Sequence, residues 1–282
     1  MAPTTISVGF IGLGSQGAPM AHRIVEGGFP LTLWARRPQS LAPFDDTAAT
    51  AAPTPAALAE ASSIVCICVT GDDDVAEVVE GPDGVLSGLA PGGILLVHST
   101  VHPETCSRLH RLGAEKGITV LDAPVSGGGP AAAQGTLLVM VGGDVAGLHL
   151  ARPVLATFGD PILHVGGIGA GQTAKLVNNL IFTAQLALSL EAFALAHGLG
   201  LDTEAMGHVF ERGSGASRAT TMLSARGFDL GGLGRVAGPL LRKDVDLITD
   251  VARRRQITAP AAVLTLAELG LHRLHDAAGE AS

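Results

Sequence analysis

Gly12, Gly14 and Gly17 follow the apolar run Ser7–Ile11 in the order Gly12-Leu13-Gly14-Ser15-Gln16-Gly17. A strand that ends in this spacing and reopens as a helix can hold the pyrophosphate of a dinucleotide, because free N–H groups of the first helical turn face the phosphates. Gly12 permits the tight turn, Gly14 lets the backbone approach the pyrophosphate, and Gly17 packs helix against strand. The same glycines can serve as a plain strand–helix turn. Here a second apolar run at Leu31 completes the unit in which the motif binds. That second run ends in Ala35-Arg36-Arg37-Pro38, without the carboxylate that holds the ribose hydroxyls of NAD. Two guanidiniums at that point fit a 2′-phosphate through charge-assisted hydrogen bonds. NADP(H) is therefore preferred and NAD(H) left open, with a solvated basic turn as the plainer alternative.

Three later segments hold further polar groups. Asp122-Ala123-Pro124-Val125-Ser126-Gly127-Gly128 follows an apolar run, so its exposed N–H groups and the Ser126 hydroxyl could form an anion-binding nest. Lys175 and Asn179, in the stretch from Gly169 to Asn179, are four residues apart and share one face of an expected helix. Arg242-Lys243-Asp244 falls inside another expected helix. No metal centre is expected, since His102, His110, His164, His197 and His272 lack ligand spacing with carboxylates or cysteines. Cys66, Cys68 and Cys106 make neither a metal signature nor a disulfide framework, with Cys66 and Cys68 expected on opposite faces of a strand. Asp72-Asp73-Asp74 reads as a solvated loop and helix-capping run rather than a cation site.

These groups need a scaffold. At about 100–200 residues per domain, the chain has room for two domains. Charged residues make up 16% of the 282, against a usual ~25%, and hydrophobic residues 47%. Glycine and proline, 38 and 16 residues, stay short of a low-complexity composition. A net charge of −8 excludes the basic footprint of a general nucleic-acid binder. Met1–Ile6 has no basic patch ahead of an apolar run, so no signal peptide is expected. Leu180–Leu190, the most membrane-like stretch, is broken by Thr183, Gln185 and Ser189 and falls short of the ~18–20 residues that span a bilayer. A soluble, reduced, cytoplasmic protein without a membrane or nucleic-acid partner follows.

From Ile6 to about Val165, apolar runs alternate with helical stretches. Strands are expected at Ser7–Ile11, Leu31–Trp34, Ile64–Val69, Ile94–Val97, Thr119–Leu121, Leu137–Val141 and Ile162–Val165. Most lack polar alternation, as parallel strands covered on both faces do. Helices of about 10–15 residues fit between several of them, giving βαβ units in a doubly wound Rossmann sheet. Beyond the glycine-rich junction Gly166–Gly171, Gln172–Ala196 reads as one long helix stopped by Gly198. Further helices are expected at about Thr203–Arg212, Leu240–Arg255 and Pro260–His275. The expected class is α/β, with a Rossmann domain over residues 1–165 and an all-α domain over residues 166–282, joined by the long helix.

Taken together, the segments resemble the β-hydroxyacid dehydrogenase family, which groups 3-hydroxyisobutyrate dehydrogenase and tartronate semialdehyde reductase with a 6-phosphogluconate dehydrogenase-type cofactor domain. The resemblance covers nearly the whole chain. It rests on Gly12-x-Gly14-x-x-Gly17-x-Pro19-Met20-Ala21, Ser99-Thr100-x-x-Pro103-Glu104-Thr105, Asp122–Gly128, Lys175-x-x-x-Asn179 and Lys243-Asp244. It implies that Ser126, Gly127 and Gly128 grip a substrate carboxylate, that Lys175 is the catalytic lysine, and that Asn179 positions substrate beside it. It also implies that Thr100 lies near the nicotinamide ribose, that Lys243 closes over the cofactor, and that Thr70 and Gly71 pass its adenosine side. The implied reaction interconverts a β-hydroxy acid and its semialdehyde or keto acid, in a homodimer or homotetramer. In oxidation a neutral Lys175 takes the hydroxyl proton as hydride leaves the same carbon; in reduction its ammonium form protonates the developing alkoxide. An ordinary lysine pKa of ~10.4 requires desolvation and the oxidised nicotinamide's charge to lower it.

Some residues depart from the family pattern. Gln16 stands where the family often has Met, and His98 where it has a small or acidic residue. Ala35-Arg36-Arg37 replaces the Asn-Arg-Thr of NADP-dependent members. With no Tyr and 8 Phe, an apolar pocket is expected beyond the carboxylate grip. Imine reductases resemble the same family but generally replace the lysine, so Lys175 argues against C=N reduction. A non-catalytic NADPH-binding sensor would have no use for the Lys175–Asn179 pair.

Overall fold

In a computed structural model of the chain, residues 6–258 and 260–280 are described. The chain forms two compact units, Met1–Lys175 and Leu176–Ser282. The first contains β1 (Val8–Ile11), α1 (Gly17–Glu26), β2 (Leu31–Trp34), β3 (Thr50–Ala51), α2 (Pro55–Glu60) and β4 (Ile64–Ile67). It continues through α3 (Asp72–Glu80), α4 (Val85–Gly88), β5 (Ile94–Val97), α5 (Pro103–Glu115), β6 (Thr119–Asp122), β7 (Val125–Ser126) and α6 (Gly128–Gln134). It ends with β8 (Leu137–Gly142), α7 (Val145–Leu155), β9 (Gly159–Gly166) and the start of α8 (Ala170–Gly198).

The strands lie in the order β3-β2-β1-β4-β5-β6-β8-β7, with β9 pairing β8. From β3 to β6 every pairing is parallel; β8 then runs antiparallel to β6 and β7 and parallel to β9. Chain order reverses between β1 and β4, the switch point at which such sheets open a crevice beyond their carboxyl ends. Both faces are covered, which is why the strands lack polar alternation. Phe10, Cys66 and Leu96 point into an apolar layer with Met20 and Ile24 of α1 and Val154 of α7. Ile11, Ile67 and Val97 point into the opposite layer with Val75 and Val79 of α3 and Leu109 of α5.

Cys66 and Cys68 share a face, contrary to the expected opposition. Strand side chains alternate at every residue, so positions two apart return to the same side. Cys66 is buried in the α1 layer and Cys68 packs against that layer. The strand β4 also stops earlier than expected, at Ile67, because the Val69 N–H leaves the ladder and donates to Ser99 Oγ at 2.8 Å. β9 starts earlier than expected, at Gly159. The two-residue strands β3 and β7 are too short to show a period in the sequence. Asp72, Asp73 and Asp74 form the first turn of α3 itself, where their charge faces the positive helix end.

The second unit holds the rest of α8 and then α9 (Thr203–Arg212), α10 (Arg218–Ser224), α11 (Gly231–Arg254) and α12 (Ala261–Glu280). Leu176, Leu180 and Leu186 of α8 pack with Leu241, Val245 and Ile248 of α11 and with Leu271 and Leu274 of α12. α11 starts well before the expected Leu240, since Gly231, Gly232, Gly234, Gly238 and Pro239 hide its first turns. Gly234 is needed there, because a Cβ would strike the Leu274 carbonyl of α12. α8 spans 29 residues, so by length and composition it could cross a membrane, unlike the shorter stretch considered above. It nevertheless carries the buried polar residues Asn179, Thr183 and Ser189.

Candidate active site

The loops that follow β1, β2, β4, β5 and β6 all leave the carboxyl ends of parallel strands. After β1, Gly12 has φ +101°, and a Cβ there would strike the Cys68 carbonyl of the neighbouring strand's extension. A Cβ on Gly17 would strike the Gly12 carbonyl. These two glycines are fixed by the fold itself. Gly14 differs: among the described residues, nothing lies within 4 Å of where its Cβ would sit. Leu13, Gly14, Ser15 and Gln16 thus form an open turn on which α1 begins, and Gly14 is bare where a pyrophosphate would have to come close. The residues present therefore fit a nicotinamide dinucleotide.

After β2, the two arginines are not equivalent. The Arg36 Nη2 donates to Asp74 Oδ1 at 2.8 Å and to Glu77 Oε2 at 2.7 Å. The hydrogen bond to Asp74, and next the charge of Glu77, hold its pKa above the ordinary guanidinium value. Arg37 is exposed and makes no ion pair among the described residues. Thr70 is exposed after β4, just ahead of α3. Asp72 accepts from the His102 N–H at 3.0 Å and the Thr105 hydroxyl at 2.6 Å, tying the start of α3 to the start of α5.

After β5 and β6 lies a buried polar network that the sequence did not foretell. Asp122 ends β6 fully buried, and its two carboxylate oxygens accept from the Gly169 N–H at 2.7 Å and the Gln172 N–H at 2.8 Å. Burial pushes its pKa up, and these N–H donors pull it partly back. The Gln172 side chain donates to the Ser99 carbonyl at 2.8 Å and accepts from the Val101 N–H at 3.1 Å. Thr100 sits between those two clamped residues, half-buried. The first turn of α8 is thereby fixed to the ends of β5 and β6, and Lys175 follows Gln172 by about one turn. The clamp keeps the first turn of α8 with the strand-rich unit, which runs to Lys175. The available signal was an acid closing the apolar run Thr119-Val120-Leu121-Asp122.

The Ser126 hydroxyl on β7 makes no hydrogen bond to a described residue, and Gly127 and Gly128 follow with φ +137° and +73°. Gly129 approaches the glycine loop so closely that a Cβ would lie 2.6 Å from the Ser15 carbonyl. The fold thus brings the Ser126 segment to the glycine turn.

In the second unit, the Asn179 amide donates to Asp244 Oδ2 at 2.5 Å and accepts from Asn178 Nδ2 at 3.1 Å. Lys243 Nζ lies 3.1 Å from the other oxygen of Asp244, which is 3% exposed and so depends on these partners. Asp244, to which the family resemblance assigns no role, joins Asn179 to Lys243.

Comparison with known proteins accords with this arrangement. Residues 7–167 match the description of the NAD binding domain of 6-phosphogluconate dehydrogenase, and residues 169–281 that of the NAD-binding region of NADP-dependent 3-hydroxyisobutyrate dehydrogenase. The chain is 32% identical to 3-hydroxyisobutyrate dehydrogenase of Pseudomonas aeruginosa, over 97% of this chain and 94% of the relative. It is 34% identical to 2-(hydroxymethyl)glutarate dehydrogenase of Eubacterium barkeri, over 92% and 87% of the two chains. The structure of 3-hydroxyisobutyrate dehydrogenase from Mycobacterium tuberculosis with L-serine aligns with a TM-score of 0.85 at 28% identity, covering 98% of this chain and 96% of that one. An open glycine turn on a parallel sheet, a helical second unit and full-length relatives of this kind place the chain in the β-hydroxyacid dehydrogenase family, as an NAD(P)-dependent oxidoreductase.

Proposed function

We propose that the protein is an NADP(H)-favouring dehydrogenase of a small β-hydroxy acid, with Lys175 as general acid and base. The observation that carries this reading is the clamp on α8. Asp122 and Gln172 hold the helix start against the strand ends that bear Thr100 and the Ser126 segment, so Lys175 projects from a rigid base. A proton donor or acceptor must stay within about 3 Å of the reacting oxygen, which rewards such anchoring.

In this reading Gly12, Leu13, Gly14, Ser15, Gln16 and Gly17 receive the pyrophosphate, Arg36 and Arg37 face the 2′-position, and Thr70, Thr100 and Lys243 complete the cofactor site. The bound nicotinamide supplies the hydride acceptor or donor. Ser126, Gly127 and Gly128 hold the substrate carboxylate through the unused hydroxyl and backbone N–H groups. Lys175 takes the substrate's hydroxyl proton in oxidation and returns it to the alkoxide in reduction. Asn179, fixed by Asp244, orients the substrate.

The protein is further read as cytoplasmic and as a homodimer or homotetramer. Burial pushes the Cys68 thiol up to about 12 and raises Cys66 and Cys106 further from the thiolate, as suits inert thiols in a reducing compartment. Val177, Ile181, Leu188 and Leu195 are exposed along one face of α8, which supports self-association.

The test is NADPH oxidation against a panel of aldehyde acids, from glyoxylate to larger apolar semialdehydes. Lys175→Ala should lower kcat by about 10²–10⁴-fold with NADPH affinity unchanged. Turnover that survives this substitution would overturn the assignment of Lys175.

A further inference from the structure

We propose that Asp74 and Glu77 are specificity-determining residues for the cofactor, because by pairing with Arg36 they make a 2′-phosphate compete for that guanidinium. The inference rests on the reading that the end of β2 receives the adenosine ribose.

The geometry is specific. Asp74 and Glu77 stand three residues apart on α3, on one face of the helix, and both reach Arg36 Nη2. α3 cannot simply swing away, since Asp72 in the same first turn holds the His102 N–H and the Thr105 hydroxyl of the α5 start. Asp74 is half-buried and Glu77 exposed, so the inner carboxylate is the firmer partner. With Arg37, the chain neighbour of Arg36, the two arginines and two carboxylates sum to zero formal charge. A dianionic 2′-phosphate would be drawn by Arg37, opposed by Asp74 and Glu77, and given Arg36 only by displacing them. A ribose 2′-hydroxyl carries no such charge and meets no such opposition. The paired carboxylates therefore narrow the gap between NADP and NAD that two free arginines would open.

The pairs are exposed, so the size of the effect is bounded. Ion pairs of this kind contribute little each, and their removal should change phosphate affinity by about three- to tenfold. At contact distance the effect persists at physiological salt, where the Debye length is about 8 Å.

The experiment titrates NADPH and NADH, by cofactor fluorescence, into the wild-type protein, Asp74→Asn/Glu77→Gln, Arg36→Ala, and the triple variant. The double variant should bind NADPH about three- to tenfold more tightly and NADH within about twofold of wild type. That gain should vanish when Arg36 is also alanine. Equal tightening of both cofactors would mean a general loss of negative charge near the pyrophosphate and would overturn the proposal. So would a gain that survives Arg36→Ala, or no gain at all. A wild-type preference for NADH would overturn only the reading of NADP(H) as favoured, since the proposal is decided by whether the NADPH/NADH ratio moves with the carboxylates.

Discussion

His98 shows what one residue can reveal that its position in a motif cannot. It follows β5 directly, 2% exposed, with its ring parallel to Phe10 at 6.5 Å and edge-on to Phe158 at 5.5 Å. Its Nδ1–H donates to the Ala123 carbonyl at 2.7 Å, which fixes the neutral tautomer and leaves Nε2 buried without a partner among the described residues. An imidazolium would have to keep its second proton in that apolar layer, so burial lowers the pKa to about 4, against a small rise from the Ala123 bond. The folded state thus binds its proton only below about pH 4, whereas the unfolded chain binds it near pH 6.5. The stability this provides is complete above pH 6.5 and is lost as the pH falls from there towards 4. Wild type should therefore lose about 2 kcal/mol more unfolding free energy between pH 7.5 and pH 5 than His98→Gln does, in urea denaturation at the two pH values. Equal losses would mean that His98 is not held neutral by the fold. The sequence marks this position as unusual for the family, but burial on both ring faces is a property of the assembled sheet. The same limit explains Arg36: its type at the end of β2 was legible, and its pairing with Asp74 and Glu77, 38 and 41 positions away in the chain, was not.

At the scale of elements, long runs with a clear period were legible and short or glycine-rich ones were not. β2 and β5 fall where expected, Leu31–Trp34 and Ile94–Val97, because buried parallel strands read as unbroken apolar runs. α10 went unforeseen at seven residues, although Ser217 and Thr220 cap it reciprocally. α8 was expected, but the role of its first turn was not, since Asp122 and Gln172 meet only through the fold. That turn makes a sharp prediction. A Cβ on Gly171 would lie 2.8 Å from Asp122 Oδ2 and would strike the Met140 carbonyl. Gly171 has an ordinary helical backbone, so the demand is for space alone. Gly171→Ala should push the helix start off its clamp and shift Lys175 by a fraction of an ångström or more. Because such displacement of a reacting group costs up to about 10²-fold in rate, kcat should fall by about 10–10²-fold while NADPH affinity changes little. Steady-state kinetics beside a binding titration separates the two. A drop in NADPH affinity equal to the drop in kcat would show that the clamp supports the cofactor loops and not the lysine.

Across the whole molecule, the order of a strand-rich half and a helical half was written in the change of period beyond Val165, and the family motifs fell in sequence along it. What the pattern could not distinguish was an interior helix from one that meets a second chain, since both are apolar nearly all round. The structure separates the two faces of α8. Leu176, Leu180 and Leu186 are buried within the second unit, whereas Val177, Ile181, Leu188 and Leu195 are exposed, Leu195 by 67%. A single exposed leucine is unremarkable, but four branched apolar residues returning to one face over five turns form a stripe that water covers at a cost. In a two-fold pair the same stripe meets itself, so each change is introduced twice at one interface. Leu188→Glu with Leu195→Glu would place like charges across that axis, four carboxylates in an apolar seam, where desolvation and repulsion act together. Light scattering coupled to size exclusion should give wild type as a multiple of the chain mass and the double variant as a monomer with unchanged helical circular dichroism. A wild-type monomer, or a double variant that still associates, would leave the stripe as surface and move the interface elsewhere on the chain.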